Sequence, residues 1–145
     1  MAELMACGLE LAPLNRILFR ERSKAQTLLL GRALNSLEYY ADGKLAVMKL
    51  TDADFAACGA GPQHADTIVN YGLDTIGARM AMMARENGDG SIKFSLRAKE
   101  PDTVSDVASQ FGGGGHPQAS GITMKGTLDE TAAKVRDALI RKLNG

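Results

Sequence analysis

The sequence predicts an α/β fold, a mixed β-sheet of about five strands flanked by helices and preceded by a long N-terminal helix. Three observations carry this reading. From Ser91 to Lys99, Ile92, Phe94 and Leu96 alternate with Lys93, Ser95, Arg97 and Lys99, the period-two pattern of a strand with one face in a core and the other polar and cationic. Near the C-terminus, Leu128, Ala132, Val135, Leu139 and Leu143 recur at helical spacing and line the inner face of an amphipathic helix. Between such segments the chain is punctuated by turn formers, foremost Asn87-Gly88-Asp89-Gly90, which reads as a hairpin turn.

The other elements follow in order. Pro13 suits a first helical turn, and Leu14, Ile17, Leu18, Leu28, Leu29, Ala33, Leu34 and Leu37 keep helical spacing up to a turn at Asp42-Gly43, as one long or broken helix. Between Pro13 and Leu34 this segment carries Arg16, Arg20, Arg22, Lys24 and Arg32 against Glu21 alone. Such a basic stripe is either a solvated face or a surface for phosphates or an acidic partner domain. Leu45 to Thr51 reads as a strand and Ala65 to Tyr71 as a short helix ended by Gly72. Thr75 to Arg85 reads as an apolar strand that buries Met80, Met82 and Met83. His64, behind Gly61-Pro62-Gln63, is a surface or capping residue. Thr103 caps a helix whose apolar stripe is Val104, Val107, Ala108 and Phe111 and which Gly112 ends. A short strand spans Ile122 to Lys125, and Thr127 and Glu130 stand at capping-box spacing before the terminal helix.

Composition narrows the functional classes. The chain has 145 residues, 45% of them hydrophobic, enough to bury a core as one globular domain. Lys plus Arg equals Asp plus Glu at 17 each, so any site for a polyanion is local rather than a property of the whole surface. Cys7 and Cys58 lie far apart with no metal-ligand spacing, which favours neither a disulfide framework nor a zinc site and fits a reducing, cytoplasmic setting. The apolar start carries Glu3 and Glu10 and lacks a basic n-region, so it reads as neither an export signal nor a membrane span.

The stretch a packed core has no use for is Gly112-Gly113-Gly114-Gly115-His116-Pro117-Gln118-Ala119-Ser120-Gly121. Glycines cost backbone entropy on ordering and in return permit positive φ or close approach of a ligand to the main chain. A histidine at the end of the run adds a donor for anionic oxygens whose charge can change near neutral pH. The run is no P-loop, since Gly-Lys-Ser/Thr is missing, and no dinucleotide fingerprint, since it follows a helix instead of opening one. A helix C-terminus repels anions, leaving two devices: an anion-binding nest of consecutive glycine N–H groups, or a short helical turn begun by Pro117 with free N–H groups at Gln118 and Ala119. Alternatively the glycines only let a helix and a strand pack closely. Arg97, on a strand with Ser95 on the same face, is the natural second half of a phosphate site, presenting a planar fork of donors. Lys93 and Lys99 read as solvated. With two histidines and no dense carboxylate cluster, the chain is poorly supplied for two-metal chemistry.

Ser95-Leu96-Arg97, Val107-Ala108 and Phe111, followed by Gly112 to His116 and Ala119-Ser120-Gly121, resemble the GGGH-x-x-A-[AS]-G signature of the DHH-associated C-terminal domain of DHH-family phosphoesterases. The likeness is to the bifunctional oligoribonuclease and pAp phosphatase type. It runs from about Leu14 to the C-terminus, leaving residues 1–13 as the end of a preceding domain or linker and 14–145 as the substrate-binding domain. The resemblance implies an α/β domain with a mixed sheet, and a mechanism shared between domains. An N-terminal Asp-His-His domain binds manganese and activates water, while the associated domain clamps the nucleotide. This chain contains no Asp-His-His, so no cofactor is expected on it and the chain by itself is expected to cleave little or nothing.

On the same resemblance, Arg97 with Gly113, Gly114, Gly115 and His116 would hold substrate phosphate, with Ser95, Ala119 and Ser120 as neighbours and His116 reaching toward the scissile phosphate. Expected partners are the catalytic domain of the same protein and a short RNA or 3'-phosphorylated nucleotide, with a homodimer left open and no membrane. The runner-up is a non-catalytic RNA-binding module, as at the end of alanyl-tRNA synthetases; a purely structural or dimerisation domain comes third.

Overall fold

A computed structural model describes residues 22–145, and its first element begins at a reciprocal cap. Ser23 Oγ accepts the Gln26 N–H while the Gln26 side chain accepts the Ser23 N–H. This capping box starts helix α1 (Lys24–Asn35), which buries Leu29 and Ala33. Arg16, Arg20, Glu21 and the expected helix start at Pro13 lie outside the described residues. Instead of continuing to Leu37, α1 stops at Asn35, where the Ser36 hydroxyl turns back to the Ala33 carbonyl. Glu38–Tyr40 then forms a short edge strand, β1, suited to its paired tyrosines.

Strand β2 (Leu45–Leu50) leads into α2 (Asp52–Cys58), opened by a Thr51/Asp54 capping box and closed by Gly59 at φ 63. The single helix expected over 65–71 is two pieces, a 3₁₀ turn (Pro62–Ala65) and α3 (Val69–Leu73). His64 is the capping residue of the first, its Nδ1 accepting the Gly61 N–H at 2.8 Å. Gly72 lies inside α3 and does not end it. A Cβ there would stand 3.1 Å from Ala46 Cβ and 3.2 Å from Met48 Cε, so the glycine lets α3 lie close on the sheet. Strand β3 (Met80–Glu86) starts later than Thr75, because the chain first turns through Gly77 at φ 91. After the 87–90 turn come β4 (Ser91–Ala98), α4 (Ser105–Gln110), β5 (Gly114–His116), β6 (Ala119–Lys125) and α5 (Leu128–Asn144).

The six strands form one mixed sheet in the order β1-β2-β3-β4-β6-β5, with β2 and β3 parallel and every other neighbouring pair antiparallel. This is the α/β architecture the sequence predicts, with one strand more. On one face Val47, Met82, Phe94, Leu96 and Ile122 pack against α4 and α5. On the other, Ala46, Met48, Ala81 and Met83 pack with Leu29, Phe55 and Val69 of α1, α2 and α3. The methionines at 80, 82 and 83 are fully core.

Following the second face outward, register sets Ala46, Ala81, Arg97, Ala119 and His116 in one row and Met48, Met83, Ser95, Gly121 and Gly114 in the next. Side chains in these rows are apolar beneath the helices and small or polar beyond them. Lys93, Gly114, His116, Thr123 and Lys125 are exposed, leaving the β4-β6-β5 part of this face open. Among the described residues no helix is long and apolar enough to cross a membrane.

Candidate functional site

The open face is built by a hairpin of glycine. Chain direction reverses after α4 through Gly112 at φ 80, with the Gly113 N–H donating to the Ala108 carbonyl at 2.8 Å. The sequence left open a curled nest or a helical turn at Pro117. Instead, residues 114–116 extend as edge strand β5, and Pro117-Gln118 is a two-residue connection into β6. Two of the glycines make this closure possible. A Cβ on Gly113 would stand 2.1 Å from the Gly121 carbonyl oxygen, and one on Gly115, at φ 145, would stand 2.6 Å from that of Ala119. Gly114 is different: nothing lies within 4 Å of where its Cβ would be, and its backbone is bare toward the open face.

The hairpin turn is tied from several directions. Pro117 O accepts the Val104 N–H at 2.7 Å and Gln118 O accepts the Ala98 N–H at 3.1 Å. Gln118 Nε2 donates to the Asp102 carbonyl at 3.0 Å. The Asp102 carboxylate in turn takes a bidentate pair from Arg79, Nε to Oδ2 at 2.8 Å and Nη2 to Oδ1 at 2.6 Å. That pair holds the carboxyl below the usual aspartate range against the opposing effect of burial. From beneath, the Ser120 hydroxyl donates to the His116 carbonyl at 2.7 Å. His116 is therefore an exposed imidazole on a fixed backbone.

The sequence-predicted residues divide between the faces. Arg97, Ala119 and His116 share one row, with Ser95 and Gly114 in the adjacent one. Gly115 and Ser120 pair with each other, and Ser120 pairs with Leu96, which places them on the opposite side, where Ser120 is buried. Arg97 is half-buried and spends one donor, Nη1, on the Leu96 carbonyl at 3.0 Å. Among the described residues neither it nor Lys93 forms an ion pair, and the alternate positions of β4, β6 and β5 on this face hold no acidic residue. Gly121 and Thr123 belong to this surface too; the outward period of β6 was hidden by reading its strand as beginning only at Ile122. Lys99 stretches to the Thr75 carbonyl at 3.5 Å.

Chemically, the surface offers an arginine fork, an imidazole, a hydroxyl and bare backbone, with uncompensated positive charge. Among the described residues no three His, Cys, Asp or Glu side chains converge as a metal site.

This sheet, with its glycine–histidine hairpin, defines a DHHA1 domain: residues 42–145 match that family, and the chain belongs to it. Over 144 residues, 98% of the chain, it is 29% identical to the bifunctional oligoribonuclease and PAP phosphatase NrnA of Thermus thermophilus, of which it spans 42%. The crystal structure of an exopolyphosphatase-related protein from Bacteroides fragilis superposes with a TM-score of 0.84 at 27% identity, over 97% of this chain and 41% of that one. A pGpG-specific phosphodiesterase, PggH from Vibrio cholerae, shares the fold at a TM-score of 0.56 and 19% identity, over 83% of this chain and 39% of that one.

Proposed function

We propose that this domain holds the phosphate of a short oligoribonucleotide or a 3'-phosphorylated nucleotide for a hydrolase whose Asp-His-His domain supplies manganese and the attacking water. The observation that carries the reading is the row of Arg97, Ala119 and His116 on an open face without a carboxylate. Arg97 grips two phosphate oxygens with its remaining donors. His116 donates to the same group and stabilises charge developing on it. Gly114 and Gly121 let the ligand approach the backbone, and Ser95 adds a hydroxyl. Gly113, Gly115 and Ser120 act beneath, keeping β5 closed on β6. The role of the domain is orientation of a bound phosphate toward chemistry performed elsewhere, in the cytoplasm where such nucleotides occur.

Calorimetric titration with pAp and with a 5'-phosphorylated dinucleotide at low salt tests this. Binding should weaken at least about tenfold in Arg97→Ala and in His116→Ala, the loss of one charge-assisted contact, with circular dichroism and melting temperature unchanged. Unaltered binding in both variants would remove the site from this face. Tighter binding of structured RNA, falling steeply with salt, would replace the reading by an RNA-binding module.

A further inference from the structure

Two rows beyond Arg97 the open face is cationic a second time. Register sets Arg85, Lys93 and Thr123 side by side on β3, β4 and β6, with Lys125 two residues beyond Thr123 and so diagonal to Lys93. Lys93, Thr123 and Lys125 are exposed. Arg85 is only 6% exposed and donates Nη1 to Asn87 Oδ1 at 3.0 Å. Burial works against its charge, with Asp66 offsetting that at longer range. Like charges directly opposite on neighbouring strands repel, and among the described residues none of Arg85, Lys93 and Lys125 forms an ion pair. Asp89 lies near Lys125, but its carboxylate takes the Ser91 N–H at 3.0 Å and the Ser91 hydroxyl at 2.5 Å. The row therefore holds a surplus of positive charge that a bound anion relieves.

The ground between the two cationic rows is uncharged and low. Ser95, Gly121 and Gly114 form the intervening row. A Cβ on Gly114 would meet nothing within 4 Å, and one on Gly121 only the Phe94 carbonyl oxygen at 3.5 Å. From β4 to β5 the strip is ~10 Å wide, at about 4.8 Å between strands, and α3, packed on β2, β3 and β4, walls it on the β3 side. Positive charge at each end with bare backbone between matches a single nucleic-acid strand, whose phosphates are spaced by uncharged sugars. Arg97 and Lys93 lie ~13 Å apart along β4 at ~3.3 Å per residue, and a stacked strand advances ~3.4 Å per nucleotide. A mononucleotide does not reach from one row to the other, whereas about three or four nucleotides do. We propose that Lys93, Thr123 and Lys125 form a second phosphate subsite, so that the open face holds a short single strand of RNA by two of its phosphates.

The pairing of this subsite with a seat at Arg97 rests on the phosphate-holding reading above; the surplus charge at Lys93 does not. Two ammonium groups and a hydroxyl recognise phosphate oxygens and read no base edge, so the subsite selects for length and not for sequence.

Titration of the full chain with pAp and with 5'-phosphorylated oligoadenylates, from the dinucleotide to the pentanucleotide, reads the two seats separately. Affinity should rise about tenfold between the dinucleotide and the tetranucleotide, the gain from one further charge-assisted contact. The double variant Lys93→Gln, Lys125→Gln, which changes only exposed side chains, should erase that gain and flatten the log–log salt dependence of tetranucleotide binding by about 0.7 per lysine. At ~0.15 M salt the Debye length of about 8 Å is shorter than the distance between the rows, so pAp should bind the double variant as it binds the unsubstituted protein. The proposal is overturned by an affinity that does not grow with length, or by a double variant that weakens pAp as much as the tetranucleotide. Arg97→Ala distinguishes the two readings. Loss of pAp binding in Arg97→Ala, with no growth of affinity with length in the unsubstituted protein, would leave the proposed function standing without this subsite. A length gain that needs the two lysines, while Arg97→Ala changes nothing, would defeat the proposed function and keep the subsite.

Discussion

The two halves of the sheet use the same register for opposite ends. In the β2–β3 half both faces are roofed, and Ala46, Met48, Ala81 and Met83 fill the second face as completely as their neighbours fill the first. In the β4-β6-β5 half the first face buries Phe94, Leu96, Ser120 and Ile122, while the second stays open and its rows change from alanine and methionine to arginine, serine, glycine and histidine. One strand, β4, serves both purposes: Phe94 and Leu96 anchor it while Ser95 and Arg97 stand on the surface. A rigid core on one side is thus what fixes the donors on the other.

The contrast breaks most severely at the anchor. Phe94→Ala should cost about 3–5 kcal/mol of unfolding free energy in urea melts, the range for truncating a buried aromatic; a loss under ~1 kcal/mol would show that β4 is not held by this core. Next comes the glycine pair. Gly113→Ala, whose methyl collides with the Gly121 carbonyl, should cost about 1–3 kcal/mol and raise hydrogen exchange along β5. Gly114→Ala, with open space around it, should stay within about 0.5 kcal/mol while weakening pAp. Equal destabilisation by the two would contradict the alternation of roles along the hairpin.

The smallest effect sharpens the comparison through pH. Because Asp102 is held below its ordinary range by Arg79, its contribution is present above the unfolded pKa of about 4 and fades as pH falls through the lower folded value. Asp102→Asn should therefore lower stability by about 1 kcal/mol at pH 7, since Arg79 is partly solvent-screened. The gap from the unsubstituted protein should close as the carboxyl takes up its proton in acid. A gap that persists in acid would assign the effect to packing.

Long elements with a single period were legible from sequence. The alternation through Ile92, Phe94 and Leu96 is β4 almost to the residue, and the stripe from Leu128 to Leu143 is α5, with Thr127 Oγ1 accepting the Glu130 N–H at 3.3 Å. Among short elements the outcome was mixed: β2 and α4 were read, β1 and α2 were not. α2 buries only Phe55 and Cys58, too few for a period to show, although Thr51 three residues before Asp54 carried its start signal. At the site, Arg97 and the glycine run stood out from their chemistry and their resemblance to a known signature. Which side of the hairpin each residue takes depends on pairing with β6, and that register is long-range information. Hence Ser120 read as a neighbour of the ligand and lies under the sheet, and Arg85 read as the end of an apolar strand because nothing local marks a half-satisfied guanidinium.

Both margins of the sheet are three-residue strands, Glu38–Tyr40 and Gly114–His116. A margin that short, and on one side nearly devoid of side chains, gives a neighbouring molecule almost nothing to zip onto. The short glycine hairpin thereby disfavours edge-to-edge self-association of the domain, so lengthening β5 or making it apolar would trade colloidal stability for nothing the fold needs.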